Sequence, residues 1–406
     1  MSFTKKIIVS MILGIIIGIA FNLTDLIESA LGDYITSALD LISYIFLSSL
    51  KLIIVPLIFF SIVCGIISLS DDVSISRLGI KTLLSYTVTT VIAISLGLFF
   101  SSFISYEPIQ VQDLDNTIDI GNIESDVSIF PNNIFKSLTE GNIIHLLIFA
   151  VLIGISASRI KGKIKTFIQY FYDFNDVINE LVKIIISFTP LAVFCILAKT
   201  FSTQGIETII PLASYFFTVV FVLLFHFFFT FSILLKLFTT LNPIKFFQNL
   251  KDVIIFTFST SSSSASIPFT LRAANDKYGI DKSISTFTVP LGATINMDGT
   301  AIMQGCATFF LASLYGIDLG VSEIITIVIT ATIASIGTAG IPSAGIIMLT
   351  VIFTQIGIPL EGITLLLGVD RLLDMMRTSV NVSGDLCISC VVASSENKIN
   401  QKVFNS

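Results

Sequence analysis

Residues 370–385 read DRLLDMMRTSVNVSGD, a polar series set inside an otherwise apolar stretch. On an α-helix turning about 100° per residue, Asp370, Asp374, Arg377, Asn381 and Asp385 fall within an arc of about 80°, with Thr378 on its edge. They form one stripe about 22 Å long. The flanking segments 363–369 and 386–393 are apolar enough for a bilayer. An ionised side chain at the centre of a membrane helix costs about 3 kcal/mol on insertion scales, so three Asp and one Arg cost roughly 10 kcal/mol unless partners meet them. Ionisable residues at that depth mark a functional site.

The rest of the chain supports a bilayer setting. Of its 406 residues 54% are hydrophobic and only 12% charged, which no soluble globular domain needs. Apolar runs at 7–21, 35–69, 82–104, 143–157 and 209–235 reach or approach the roughly 20 residues that span a bilayer. The expected class is a polytopic membrane protein. Lys5 and Lys6 before the first run resemble a signal peptide, but no small-residue cleavage site follows, and the run reads as a retained first helix. The net charge of −6 says little about partners, and with no basic patch in the sequence nucleic acid is not an expected one. Cys64, Cys195, Cys306, Cys387 and Cys390 all lie in apolar segments, and their odd number argues against a disulfide framework. The CxxC at Cys387 and Cys390 reads as core packing.

Lys and Arg sort between loops. Lys5 and Lys6 precede span one; Arg77 and Lys81 follow span two. Arg159, Lys161, Lys163 and Lys165 follow span four; Lys236, Lys245 and Lys251 follow span six; Lys398 and Lys402 end the chain. The loops at 22–33 and 106–133 carry acids and no base. The positive-inside rule then places both termini in the cytoplasm, with eight full crossings.

Two segments do not fit as simple spans. One, 253–269, holds the hydroxyl cluster Ser259 to Ser264 and Pro268, with basic residues on both sides. The other, 324–356, is broken by SIGTAGIPSAG at 335–345 and flanked by Asp318, Glu323 and Glu361. The first enters and leaves from the cytoplasm, the second from outside. They read as two re-entrant hairpins of opposite orientation. Each precedes a span with a polar interruption, NMDGT at 296–300 and the 370–385 stripe. That is the pattern of inverted repeats meeting near the midplane. Unwound backbone at that depth lines a cavity. Its free carbonyls ligate cations, and hairpin-tip N–H groups hold a carboxylate.

Other residues read more plainly. Pro56 and Pro190 are helix kinks. His145 and His226 are lone histidines in apolar helices, read as core or interface residues. Tyr86, Thr89 and Thr90 share one face of span three. An enzyme would need a base near the Ser cluster, yet no His lies by either motif and no Gly-x-Ser-x-Gly elbow occurs. A channel favours rings of charge or carbonyls over one Arg among several Asp.

At these residues the chain resembles the glutamate transporter family, the dicarboxylate/amino acid:cation symporters. The likeness is carried by SSSSASIP at 261–268, PLGATINMDGT at 290–300, SIGTAGIPSAG at 335–345 and DRLLDMMRTSVNVSGD at 370–385, in the family's order. The resemblance implies that Arg377 pairs with a substrate side-chain carboxylate and Asp374 with its α-ammonium. It makes Thr300, Thr378 and Asn381 further polar contacts. Ser262 and Ser263 at the first hairpin tip then meet the α-carboxylate, and Ile341 and Gly345 belong to the second hairpin closing over the site.

The resemblance implies three sodium sites. Gly292, Asn296, Asn381 and Asp385 match one; Thr294, Ser335, Ile336 and Thr338 a second; Tyr86, Thr89, Thr90, Asn296 and Asp298 a third. Hard oxygen ligands suit such a cation. Three features depart from relatives. Ser261 and Met375 stand where relatives often carry a second Arg, Arg371 lies about 100° from Asp370 around the helix, and Gln304 replaces a Glu linked to proton transport in vertebrate-type members.

The implied protein is not an enzyme. It is an all-α polytopic membrane protein of the cell inner membrane, with eight transmembrane helices plus two oppositely oriented re-entrant helical hairpins. Residues 1–76 and 130–200 would be mainly scaffold and trimer helices, and 77–105 with 207–395 mainly the transport core. That core comprises hairpin 1 at about 246–275, helix 7 at about 283–313, hairpin 2 at about 324–356 and helix 8 at about 361–395. The implied activity is import of L-aspartate and/or L-glutamate with Na⁺ by a homotrimer in lipid, without an organic cofactor. A proton-coupled symporter and a cystine or C4-dicarboxylate transporter of the same family are the alternatives.

Overall fold

In the computed structural model, residues 3–24, 30–68, 76–104, 133–135, 143–204, 209–336 and 344–405 are described. They are almost entirely helical. Among them the only β-pairing is an isolated bridge between Ile280 and Ile399. A helix satisfies its backbone polar groups within one segment, as an apolar medium demands. The helices run α1 (Phe3–Leu23), α2 (Ala30–Ser68), α3 (Ser76–Ser101), α4 (Ile143–Arg159), α5 (Lys165–Ser187) and α6 (Thr189–Gln204). Next come α7 (Ile209–Phe225), a π-helical turn (His226–Thr230), α8 (Phe231–Phe238) and α9 (Pro243–Asn249). Then follow α10 (Lys251–Thr260), α11 (Ser263–Asp276), α12 (Lys282–Ile295) and α13 (Asp298–Leu314). The last are α14 (Val321–Ile336), α15 (Ala344–Ile356), α16 (Ile363–Ser395) and α17 (Gln401–Asn405).

Apolar side chains face outward along these helices, and polar residues are buried among a largely apolar core. On α3, Ile80, Leu84, Val88 and Val91 face outward at helical spacing, while Tyr86, Thr89 and Thr90 are buried. Phe217, Phe221, Leu224 and Phe228 repeat this outward face along α7 and the π turn. A soluble monomer rarely exposes such stripes, whereas lipid solvates them. Two helices among the described residues are by themselves long and apolar enough to cross a membrane, Leu78–Ser101 and Ile210–Phe238.

Packing divides the helices. α1, α2, α4, α5 and α6 pack on one another; α3, α7, α8, α10–α13 and α15 gather around α16, and α14 packs on α3, α13 and α15 and also touches α2 and α4. α16 also touches α1 and α6. Pro56 lies inside α2, and Pro190 in the first turn of α6, just after the break at Phe188. α3 lies close against α13 because two glycines face each other's backbone. A Cβ at Gly97 would sit 2.7 Å from the Ile302 carbonyl, and one at Gly305 2.8 Å from the Ile94 carbonyl. The chain end is tied back: Phe404 is buried near Tyr278, and the Lys398 ammonium donates to Ser283 Oγ at 2.6 Å. Asp281 caps α12 by accepting from the Ser283 N–H, and hydrogen bonds from Ser283 with the nearby Lys398 charge hold its carboxyl below the ordinary carboxylate range.

Of the expected interruptions among the described residues, those at 261–262 and 296–297 are breaks in helix, whereas the 370–385 stripe lies within the continuous helix α16, which carries its polar residues without unwinding. α10 and α11 separate at Ser261, whose φ of 50° is left-handed, and Ser262, which caps Ala265 N at 3.2 Å. The two helices fold back so that Phe256 stacks on Phe269, centroids 4.8 Å apart. α12 and α13 separate at Asn296 and Met297, both non-helical. The tip between α14 and α15, with Gly337, Thr338, Gly340 and Ile341, lies outside the described residues, as does most of the acidic loop at 106–133.

Candidate functional site

The charged face of α16 is buried in full. Asp370, Asp374, Arg377, Asn381 and Asp385 expose between 1% and 7% of their surface. Arg377 places Nη2 2.7 Å from Asp370 Oδ1 and 2.9 Å from Asp374 Oδ1. Arg371 places Nη1 3.2 Å from the other oxygen, Asp374 Oδ2. Two carboxylates and two guanidiniums thus form one neutral quartet. Successive members are three residues apart or fewer, where side chains meet, and the Arg377 side chain reaches back about two turns to Asp370. Within it Arg377 Nε and Nη1 find no partner among the described residues, although the side chain is 1% exposed. A buried donor left unmade costs about 1–3 kcal/mol, more when charged. The free nitrogens form a ready seat for an anion.

Three elements converge at that seat. A Cβ at Gly345, on the first turn of α15, would lie 2.8 Å from Thr300 Cγ2 and 3.2 Å from Arg377 Nη1. α15, α13 and α16 therefore meet around Arg377. Thr378 donates to the Asp374 carbonyl at 2.8 Å. Thr257 on α10 donates to Ser379 Oγ at 3.2 Å, which brings the α10–α11 break, with Ser262 and Ser263, alongside α16.

The oxygen-rich residues gather one turn further along. Asn296 Nδ2 donates to Asp385 Oδ1 at 2.9 Å and to the Asn381 carbonyl at 3.1 Å. Its own Oδ1 is buried with no partner among the described residues. Asn381 Oδ1 accepts from Gly299 N at 2.7 Å. Gly292 leaves room for this cluster: a Cβ there would stand 2.7 Å from the Tyr86 hydroxyl and closer still to Asp385 Oδ1. Tyr86 donates to the Thr288 carbonyl at 3.0 Å and Thr90 to Asp298 Oδ1 at 3.0 Å. Thr89 bonds back to the Tyr86 carbonyl. Buried carboxylates Asp298 and Asp385, with an orphaned amide oxygen between them, suit a hard cation.

The remaining expected ligands are not gathered here. Thr294 is exposed and bonds back to Leu291. Ser335, buried near the end of α14, bonds back to Thr332, and Ile336 is the last residue of that helix. Thr338 and Ile341 lie outside the described residues.

Two contacts escape a reading of the sequence. His226 Nε2 lies 3.2 Å from Asp298 Oδ2, both side chains fully buried. A histidine among phenylalanines carries no pattern that points at a residue on another helix. Arg371 likewise turns inward to Asp374, since its long side chain covers the angle that separates it from the stripe.

The sequence model of the sodium:dicarboxylate symporter family matches residues 3–395. The chain is 31% identical to the proton/sodium-glutamate symport protein of Bacillus caldotenax, over 98% of this chain and 95% of that one. It is 30% identical to the proton/glutamate-aspartate symporter of Escherichia coli, over 99% of this chain and 94% of that one. It is also 30% identical to the C4-dicarboxylate transport protein of Bacillus subtilis, over 98% and 94%.

Proposed function

Because the chain belongs to the sodium:dicarboxylate symporter family, we propose that it is a Na⁺-coupled secondary symporter importing L-aspartate and/or L-glutamate. It is an integral membrane transporter, not an enzyme. The observation that carries the reading is the buried Arg377 with two donor nitrogens unpartnered among the described residues. A guanidinium edge matches a carboxylate in a charge-assisted pair. Asp374, one turn away, takes the α-ammonium as Arg371 gives way. Ser262 and Ser263 meet the α-carboxylate, with Thr300, Thr378 and Asn381 completing the contacts.

Sodium is co-transported cargo at two of the implied sites, held by Gly292, Asn296, Asn381 and Asp385, and by Tyr86, Thr89, Thr90, Asn296 and Asp298. Its charge meets Asp298 and Asp385, which no Lys or Arg pairs with among the described residues. A further ion between Thr294 and the α14 end at Ser335, Ile336 and Thr338 lets the second hairpin close, with Ile341 and Gly345 over the substrate. Eight spans and two opposed hairpins carry this cycle. α1, α2 and α4–α6 are the scaffold of a homotrimer, and the helices around α16 are the moving unit. Both termini are cytoplasmic.

One observation favours a second reading. Asp374 is held by two guanidiniums; if both stay, no charge awaits an ammonium and a C4-dicarboxylate would fit. Uptake of radiolabelled aspartate into proteoliposomes decides between them. It should require an inward Na⁺ gradient and resist equal succinate. Uptake indifferent to Na⁺ and driven by a proton gradient would establish proton coupling, and strong succinate competition would establish the dicarboxylate reading.

A further inference from the structure

Resting on the cation reading above, we infer that His226 is a positioning residue for the coupling-ion site, holding the Asp298 carboxylate in the orientation that receives the ion. The ring is fully buried where α7 passes into α8 through the π turn 226–230, edge-on to Phe231 with centroids 5.0 Å apart. Single π turns inside helices occur frequently at functional sites. The residues after it, Phe227, Phe228 and Phe229, are apolar, so nothing else in this turn reaches a polar partner until Thr230.

Asp298 has two side-chain donors among the described residues, one for each oxygen. Thr90 donates to Oδ1 at 3.0 Å and His226 Nε2–H to Oδ2 at 3.2 Å. His226 Nδ1 has no partner among the described residues, so Nε2 is the ring nitrogen that meets the carboxylate. Two donors, neither of them a Lys or Arg, fix the plane of the carboxylate. A Lys or Arg in the same place would neutralise it. The side of Asp298 Oδ2 toward α16 is kept open: a Cβ at Gly384 would stand 3.5 Å from that oxygen and 2.6 Å from Asn296 Nδ2. The histidine therefore links α7 to the broken helix at the point where Asn296 and Asp298 meet.

Partners that orient a metal's ligands change affinity by about 10–100-fold when removed. His226→Leu should raise the half-saturating Na⁺ concentration about tenfold, read in two ways: Na⁺-dependent thermal stabilisation of the purified protein without substrate, and Na⁺ dependence of aspartate uptake. His226→Gln, which carries an N–H to a similar reach, should retain the wild-type value. His226→Asn, the same amide on a shorter stem, should fail as Leu does. The Gln and Asn pair decides the matter if the Leu variant does not fold. A wild-type Na⁺ requirement in the Leu or Asn variant, or equal impairment in Gln and Asn, overturns the inference. If the wild-type protein itself shows no response to Na⁺ in either readout, the cation reading falls and this inference with it.

Discussion

Arg377 concentrates the chemistry of this molecule at one residue. It is buried, satisfied on Nη2 by two aspartates, and without a partner on Nε and Nη1 among the described residues. Arg377→Cys should abolish uptake of acidic amino acids, since a charge-assisted pair contributes about 1.5–3 kcal/mol, or roughly tenfold to a hundredfold in affinity. Neutral amino acids such as serine then become candidates, and competition assays with serine and aspartate measure the exchange. Wild-type aspartate affinity in the variant would remove Arg377 from the selectivity role. The periodicity of 370–385 makes this residue legible, because placing Asp370, Asp374 and Arg377 on one face needs only the helical repeat. Which oxygen Arg371 takes is not legible: a long flexible side chain reaches either way, and packing chooses.

At the scale of elements, α15 fits closely against the site. Gly345 has no room for a side chain, with Thr300 Cγ2 and Arg377 Nη1 both within 3.2 Å of where a Cβ would stand. Gly345→Trp should hold α15 away from the site. Because coupling between ligands is reciprocal, aspartate and Na⁺ should both bind more weakly; titrating each in the presence of the other checks this. A variant that loses one affinity and keeps the other would sink the proposed gate. The breaks at 261–262 and 296–297 are legible because runs of hydroxyls and an Asn-Met-Asp-Gly series interrupt apolar helix. The π turn at 226–230 is not, since five consecutive helical residues that read HFFFT look like any apolar segment.

At the scale of the whole molecule, phenylalanine stripes face outward while a cluster of Asp and Arg side chains is buried within a largely apolar core. The charge sorting predicts a sidedness. A cysteine introduced at Asn116 should react with a membrane-impermeant maleimide from outside intact cells, whereas one at Lys163 should react only after the membrane is opened. The opposite result would reverse the topology. From the sequence by itself came the solvent, the helical class, the interrupted spans and the polar stripe. Each follows from local periodicity or composition, and burial of an ionised group in lipid is penalised wherever the chain places it. Only the tertiary structure decided which groups meet across helices. Thr90 and Asp298 are 208 residues apart, and His226 and Asp298 are 72 apart. A helical repeat specifies which face a side chain occupies, but the partner on the facing helix is set by how closely the backbones approach. For α3 and α13 that approach rests on Gly97 and Gly305.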